Sequence, residues 1–364
     1  MIGDIMGLVG YITIILLNVL RKKGKLVKLI LSVIMISFMS FLFIGGFTNA
    51  DYLNYYTAYQ NQYAPTFEIG FRFLMKICFA FGLSYDSFLL FIFIIGISLR
   101  ILFIKNVANI NYVLALFLIY PFIIEIVQVR TFLAMSIVIF SMNYLLFDKR
   151  GNVLKYIICI SLACTIHSLS VFLFPIIIIK FNRIRSLIKY IPVLTLVIII
   201  FLIYNGFSLS FMSGIFSKID SERASLYVTG GFSNTYILNF IYIIMNLLLA
   251  KWSINIINNS SEFNLKDDFK AELSKKIYYI NIILFIYTPF YLLSGLFFRI
   301  PRSFYIINYV LFYIASERLT KKTQNYYLYN AIIILYLIIV FILEFYVQRK
   351  VEVLYPIIFD NKFF

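Results

Sequence analysis

Long apolar segments, separated by short polar ones, run from one end of the 364-residue chain to the other. Many are close to the length of about 20 residues that a helix needs to cross the hydrocarbon core of a membrane. We therefore predict an all-α polytopic membrane protein with about 12 transmembrane helices in a single integral membrane domain, residues 1–364. The helices are expected at about 3–20, 26–47, 86–104, 111–126, 129–147, 153–166, 168–181, 187–205, 234–256, 276–296, 301–317 and 326–347.

Two apolar runs are too long for one span, and each contains a polar interruption. The run 111–147 is interrupted between Glu125 and Arg130, and the run 153–181 is interrupted at His167 and Ser168. We predict that each run is a pair of short or kinked helices. Re-entrant segments are an alternative to full spans, because irregular backbone is tolerated at membrane depth where it lines a cavity.

Composition supports the membrane assignment. Hydrophobic residues make up 62% of the chain and charged residues only 13%, whereas a soluble domain has about 45–50% and about 25%. The net charge of +16 would suggest nucleic acid in a soluble protein. Here it is better explained by loops that Lys and Arg hold on the cytoplasmic side, so no nucleic-acid partner is expected.

The distribution of Lys and Arg predicts the orientation. Of 32 such residues, 22 fall in alternate loops, which we assign to the cytoplasm: 21–28, 100–110, 148–155, 180–189, 251–276 and 318–325. Both termini are then extracytoplasmic. Asp4 precedes the first apolar run and the basic cluster follows it, which is the reverse of a cleavable signal peptide.

Common cofactor and metal motifs are not recognisable. The three cysteines lie in apolar surroundings and form no CxxC pair. Asp220 and Glu222 have the spacing of an acidic metal site, but a solvated loop explains them equally well. We expect neither a metal nor another cofactor.

Several charged residues are not needed to orient the loops. Ionisable groups at the edge of apolar spans are costly and usually face a cavity or a partner. Those predicted at the outer ends of helices are Arg130, His167, Arg299 and Arg302. Two outer loops add more: segment 48–84 contains Asp51, Tyr52, Tyr55, Glu68 and Arg72, and segment 206–233 contains Lys218, Asp220, Glu222 and Arg223. This convergence predicts an outward-facing polar site.

Arginine suggests the ligand of this site. The planar guanidinium group binds phosphate through two parallel hydrogen bonds, and a lipid-linked diphosphate places its phosphates at headgroup level. Arg299 and Arg302 would share one helix face if a helix begins there. Arg302 and Arg72 could equally extend to lipid headgroups, and His167 could be a hydrogen-bonded packing residue.

The same residues resemble a known family, the EpsG-like group of Wzy-type polysaccharide polymerases. The resemblance covers most of 40–180 and, more loosely, 290–360. It rests on residues 51–56 (Asp-Tyr-Leu-Asn-Tyr-Tyr), 68–71 (Glu-Ile-Gly-Phe), 130–134 (Arg-Thr-Phe-Leu-Ala), 167–170 (His-Ser-Leu-Ser) followed by Pro175, and 299–305 (Arg-Ile-Pro-Arg-Ser-Phe-Tyr). Ile69 replaces the family's proline and Thr131 its glutamine, so any sugar contact of that glutamine is lost or moved.

The resemblance implies a GT-C-like glycosyltransferase that acts on the outer face of the bacterial cytoplasmic membrane. Its substrates would be undecaprenyl-diphosphate-linked oligosaccharides of O-antigen, capsule or exopolysaccharide synthesis, and its partners a flippase and a chain-length regulator. Arg130, Arg299 and Arg302 would bind the diphosphate. His167, Asp51 or Glu68 would orient or deprotonate the acceptor hydroxyl. Tyr52 and Tyr55 would stack on sugars, and Arg72 and Arg223 are further candidates for substrate binding.

Three other functions compete with this one. A flippase for the same lipid-linked oligosaccharide also needs cations for a diphosphate, but it would need polar residues through both halves of the membrane. A GT-C-like transferase could add a single sugar from a polyprenyl-phosphate donor. A membrane O-acyltransferase could use His167, but its acyl donor would have to be reached from the cytoplasm.

Overall fold

The computed structural model describes residues 2–19, 24–147, 153–181, 185–204, 236–259, 265–292, 295–319 and 323–363. Within these ranges the regular elements are all helices. The α-helices are α1 (Ile2–Val19), α2 (Lys25–Gly45), α3 (Tyr52–Asn61), α4 (Ile69–Ala80), α5 (Tyr85–Ile104), α6 (Ile110–Phe117), α7 (Ile123–Val127), α8 (Val129–Leu146), α9 (Val153–Ile166), α10 (Ile191–Tyr204), α11 (Tyr236–Asn259), α12 (Leu265–Leu284), α13 (Arg299–Ser303), α14 (Tyr305–Arg318) and α15 (Gln324–Phe341).

Shorter segments with other helical geometry connect them. Four are 3₁₀ helices: Ser168–Lys180, Ile188–Tyr190, Phe285–Leu292 and Gly295–Phe298. Three are π-helical: Leu118–Phe122, Ile342–Gln348 and Lys350–Phe359. The expected all-α fold class is therefore confirmed for the described residues.

Six helices in the described part of the chain are long and apolar enough to cross a membrane. They are Lys25–Gly45, Tyr85–Ile104, Ile110–Val127, Val129–Leu146, Tyr236–Asn259 and Gln324–Gln348. Four further apolar helices are shorter, at 10–17 residues: Gly7–Val19, Val153–Ile166, Ser168–Lys180 and Ile188–Tyr204. The expected total of about 12 spans and the GT-C-like architecture stay predictions.

The chain divides into two compact units. Unit 1 comprises Met1–Asn143, Leu154–Val171 and Tyr305–Phe364, and unit 2 comprises Tyr144–Val153 and Phe172–Phe304. In unit 2, α11 packs on α12 through a buried hydrogen bond of 3.0 Å between Asn246 and Asn281. Helix α10 packs on Phe285–Leu292.

Both predicted helix breaks are present. Helix α7 ends at Val127. The next residue, Gln128, has a φ of −101° and a ψ of 61°, which are not helical, and α8 starts directly after it. Helix α9 ends before His167, and a 3₁₀ helix begins at Ser168. A further kink at Tyr120 and Pro121 was not expected. Pro121 was its signal, because proline has no N–H to donate within a helix.

Segment 48–84 is more ordered than an irregular outer loop. It contains α3 and α4, of 10 and 12 residues, which are too short to cross a membrane. On α4, Phe71, Met75 and Cys78 are buried and recur at the spacing of one helix face. Burial of this face explains why a helix forms here.

Candidate functional site

Glu68 lies immediately before the first turn of α4, in an extended conformation with φ −64° and ψ 151°. A residue in this position often caps the helix with its side chain, but the Glu68 carboxylate accepts no such bond from α4. Its side chain turns away from the helix and meets two other segments of unit 1. This geometry makes Glu68 the centre of a polar cluster.

Both carboxylate oxygens of Glu68 accept hydrogen bonds. Oε2 accepts from Nη1 of Arg130 at 2.6 Å. Oε1 accepts from Nδ1 of His167 at 3.0 Å, and from the backbone N–H and the hydroxyl of Ser168 at 2.8 and 3.1 Å. The structure thus brings together three residues that the sequence singled out separately, and adds Ser168 as a direct partner.

Arg130 owes its position to the break before α8. It is only 7% exposed, and its Nε donates to the hydroxyl of Tyr55 at 3.3 Å. The ring of Phe67 lies 4.3 Å from the centre of the guanidinium group, a cation–π contact that the sequence did not indicate. Nη2 makes no hydrogen bond to a residue that the structure describes. This nitrogen remains able to bind an anion.

Gly70 allows α4 to approach the end of α9. A Cβ atom on Gly70 would lie 2.3 Å from Oγ1 of Thr165 and 2.8 Å from its carbonyl oxygen. No side chain fits at those distances, so only glycine permits this contact. The close approach brings Glu68, two residues earlier, within reach of His167 and Ser168.

The hydrogen-bonding partners of Glu68 determine its charge. Burial by itself would raise the pKa of Glu68. The hydrogen bond from His167, the positive charge of Arg130 and the backbone N–H of Ser168 outweigh burial and hold the pKa well below its ordinary value of 4.5. Glu68 is therefore ionised at neutral pH and is a weak base.

The ionised carboxylate also fixes the tautomer of His167. An ionised carboxylate can only accept, so Nδ1 of His167 must carry the hydrogen in their shared bond. In the neutral imidazole, Nε2 is then the nitrogen that can take up a proton. This carboxylate–histidine arrangement resembles the one that orients the base in serine hydrolases.

Asp51, Tyr52 and Arg72 are the other candidates on the outer segment. Asp51 is at the start of α3. Tyr52 stacks on Tyr56, with centroids 5.9 Å apart, and its ring meets that of Tyr85 edge-on at 5.3 Å. Arg72 is exposed on α4 and lines a separate cavity. Of the two tyrosines expected to stack on sugars, only Tyr55 contacts Arg130.

Two of the remaining candidate arginines belong to α13. Arg299 begins α13 and Arg302 lies in its last turn, so the helix start expected there is present. Both belong to unit 2, where Arg302 is buried and Arg299 is half-buried. Their role in diphosphate binding stays a prediction. Arg223, with Lys218, Asp220 and Glu222, lies outside the described residues.

A second charged pair is completely buried in unit 1. Nη2 of Arg100 donates to Glu125 at 2.6 Å, and Nε donates to the hydroxyl of Ser136 at 2.9 Å. The rings of Phe117 and Phe132 lie 4.4 and 4.6 Å from the guanidinium group. The count of loop charges included Arg100, and this was wrong: the residue lies inside α5, where it connects α7 to α8 across the break before Arg130.

The arrangement of acids also limits what can be bound. Among the described residues, no group of three or more His, Cys, Asp and Glu side chains is arranged to hold a metal ion. The cluster instead offers a guanidinium donor, an oriented imidazole and a fixed carboxylate. Such a set can bind an anionic group and transfer a proton beside it.

Apolar helices and a buried polar cluster define a helical membrane protein with a recessed site. A family model described as the EpsG family matches residues 9–356, and the chain belongs to this family. The resemblance predicted from short motifs is thereby confirmed, and membership indicates a polysaccharide polymerase-like membrane protein. Comparisons with curated proteins and with solved structures found no match.

Proposed function

We propose that this protein is a glycosyltransferase that joins undecaprenyl-diphosphate-linked oligosaccharide repeat units on the outer face of the bacterial cytoplasmic membrane. The observation that carries the proposal is the pair of contacts through which Glu68 holds both Arg130 and His167. Arg130 can bind an anionic leaving group, and His167 can accept the proton of an attacking hydroxyl. Polymerisation of lipid-linked repeat units needs both.

The reaction is a displacement at the anomeric carbon of the donor. The acceptor hydroxyl forms the new bond to this carbon, and its proton passes to Nε2 of His167. The bond from the anomeric carbon to the diphosphate breaks, and undecaprenyl diphosphate leaves with the electron pair. Arg130 stabilises the developing charge through Nη2. Glu68 is too weak a base to take the proton and acts as a positioning residue.

A reconstituted reaction tests this assignment. A strain without the gene should accumulate single repeat units on the lipid carrier, and these units can be extracted as the substrate. We expect the purified protein in detergent to convert them into a ladder of longer chains. His167→Gln should lower the rate about 10²–10⁴-fold, the usual contribution of a general base. The matched control is Ser170→Ala, which removes a buried hydroxyl three residues further on, in the 3₁₀ helix that follows His167.

The same experiment separates the polymerase from the flippase. In detergent there are no membrane sides, so a flippase would produce no ladder. If extracted units are never extended, and the deletion strain keeps them on the cytoplasmic face, the polymerase proposal fails. Equal rates for His167→Gln and the control would leave the reaction standing but remove His167 as the base.

A further inference from the structure

A cavity beside α4 is not used by the Glu68 cluster. It has a volume of about 430 Å³ and lies in unit 1, between the turn at residues 62–65 and one face of the helix. The residues of α4 that line it are Ile69, Arg72, Phe73, Met75 and Lys76. The Glu68 side chain turns away from α4, so the cluster and the cavity lie on different sides of the first turn of this helix.

The charge of this cavity is positive and uncompensated. Arg72 and Lys76 are four residues apart and therefore neighbours on one helix face. Neither side chain forms a hydrogen bond or ion pair with the residues that the structure describes. Glu68, the acid nearest in sequence, is engaged by Arg130 and His167. Since the described residues that line the cavity include no acid, it favours an anion.

The surfaces beside these cations are apolar. Tyr63, Ile69 and Phe73 are 73%, 69% and 62% exposed, and Met75 lines the cavity from the buried side. A free phosphate ion would leave these side chains uncovered. A ligand that carries phosphate on a lipid would cover them and satisfy both cations.

We propose that this cavity binds the diphosphate of the acceptor lipid, the second lipid-linked substrate of the polymerase. This inference rests on the proposed function, because joining two lipid-linked saccharides requires two headgroup sites. Arg72 lies one helical turn beyond Glu68, a rise of about 6 Å. A headgroup bound there would hold its saccharide next to His167, while Arg130 holds the donor's diphosphate. Two cations one turn apart can each contact one phosphate of the acceptor.

Binding of undecaprenyl diphosphate to the purified protein tests the site without relying on activity. We expect two molecules to bind per wild-type chain and one to bind to the double variant Arg72→Gln, Lys76→Gln. Both side chains are exposed, so the variant should fold normally. Lys350→Gln removes another exposed cation and should still bind two. Phosphatidylglycerol and inorganic pyrophosphate serve as competitors, and neither should displace the ligand at equal concentration.

Kinetics give the second readout. In the double variant, KM for the acceptor should rise about 10-fold or more, since loss of a hydrogen bond to a charged group accounts for that factor. The values of kcat and of KM for the donor should stay within about twofold of wild type. If the double variant still binds two molecules, the proposed acceptor site is refuted. It is also refuted if phosphatidylglycerol competes equally well, because the cavity would then be a contact for bulk lipid. If the wild-type protein makes no polymer, but the double variant still binds one molecule fewer than wild type, the proposed function is refuted and the binding site is supported.

Discussion

Substituting Glu68 with glutamine isolates the ion pair at the centre of the site. Glutamine keeps one oxygen, which can still accept from His167 and Ser168. Its NH₂ group replaces the oxygen that accepts from Arg130 at 2.6 Å, so two donors then face each other. The substitution therefore leaves the shape of the cluster nearly unchanged and removes the negative charge that compensates the buried guanidinium group.

The expected cost follows from burial. Removing one partner of a buried ion pair costs about 3–5 kcal/mol. Here the Glu68 side chain is 18% exposed, so water can partly solvate the charge that is left. The contact with the Phe67 ring, which contributes about 0.5–2 kcal/mol, also remains. We expect Glu68→Gln to lower the free energy of unfolding by about 2–3 kcal/mol.

Denaturant unfolding in detergent micelles measures this change. The matched control is Asp86→Asn, which breaks an exposed ion pair in which Lys362 lies 2.6 Å from Asp86 and should cost about 0–1 kcal/mol. If Glu68→Gln costs no more than the control, the Arg130 charge is compensated by something other than Glu68. The central role that we assign to this carboxylate would then be refuted.

The pH dependence of the same comparison tests the ionisation of Glu68. Its pKa is lowered on folding, so its contribution to stability is complete above its ordinary pKa of 4.5 and is lost as the pH falls further. The gap between wild type and Glu68→Gln should therefore close as the pH falls below about 4.5. A gap that stayed unchanged from about pH 5 to about pH 3 would contradict this, because protonation of Glu68 would then not remove its contribution.

Three further outcomes are expected. Arg130→Lys should lower polymer yield about 10²–10³-fold at unchanged protein level, because one ammonium group cannot contact both Glu68 and a diphosphate; Arg185→Lys is the control. Arg100→Met should lower the free energy of unfolding by about 3–5 kcal/mol, and much of it should return when its carboxylate partner is also made apolar. In a chain without its native cysteines, Tyr63→Cys should react with an impermeant thiol reagent from outside and Asn106→Cys should not; the reverse would refute the assigned orientation.

The sequence predicted the helices well because their signal is local. Apolar runs and their polar interruptions marked most helices to within a few residues, and both predicted breaks are present. The helices α3 and α4 were harder to predict, since segment 48–84 is less apolar than a span. The buried positions of α4 recur at helical spacing, which was an available signal.

Partner choice could not be predicted because it depends on how distant segments pack. Arg130, His167 and Glu68 were each singled out, yet nothing in their spacing says that one carboxylate binds both others. Arg100 shows the same limit. A charge four residues before the end of α5 resembles a loop anchor, and only the packing of α5 against α7 and α8 reveals its partner Glu125.

The contacts of Glu68 also constrain how the protein can be synthesised. Its partners lie 62, 99 and 100 residues further along the chain. During translation Glu68 emerges first, Arg130 follows about two spans later, and the residues after α9 come last. The site is therefore incomplete in any nascent chain shorter than about half the protein. A stalled or truncated product would insert its first helices and still present Arg130 and Glu68 without the histidine that completes them.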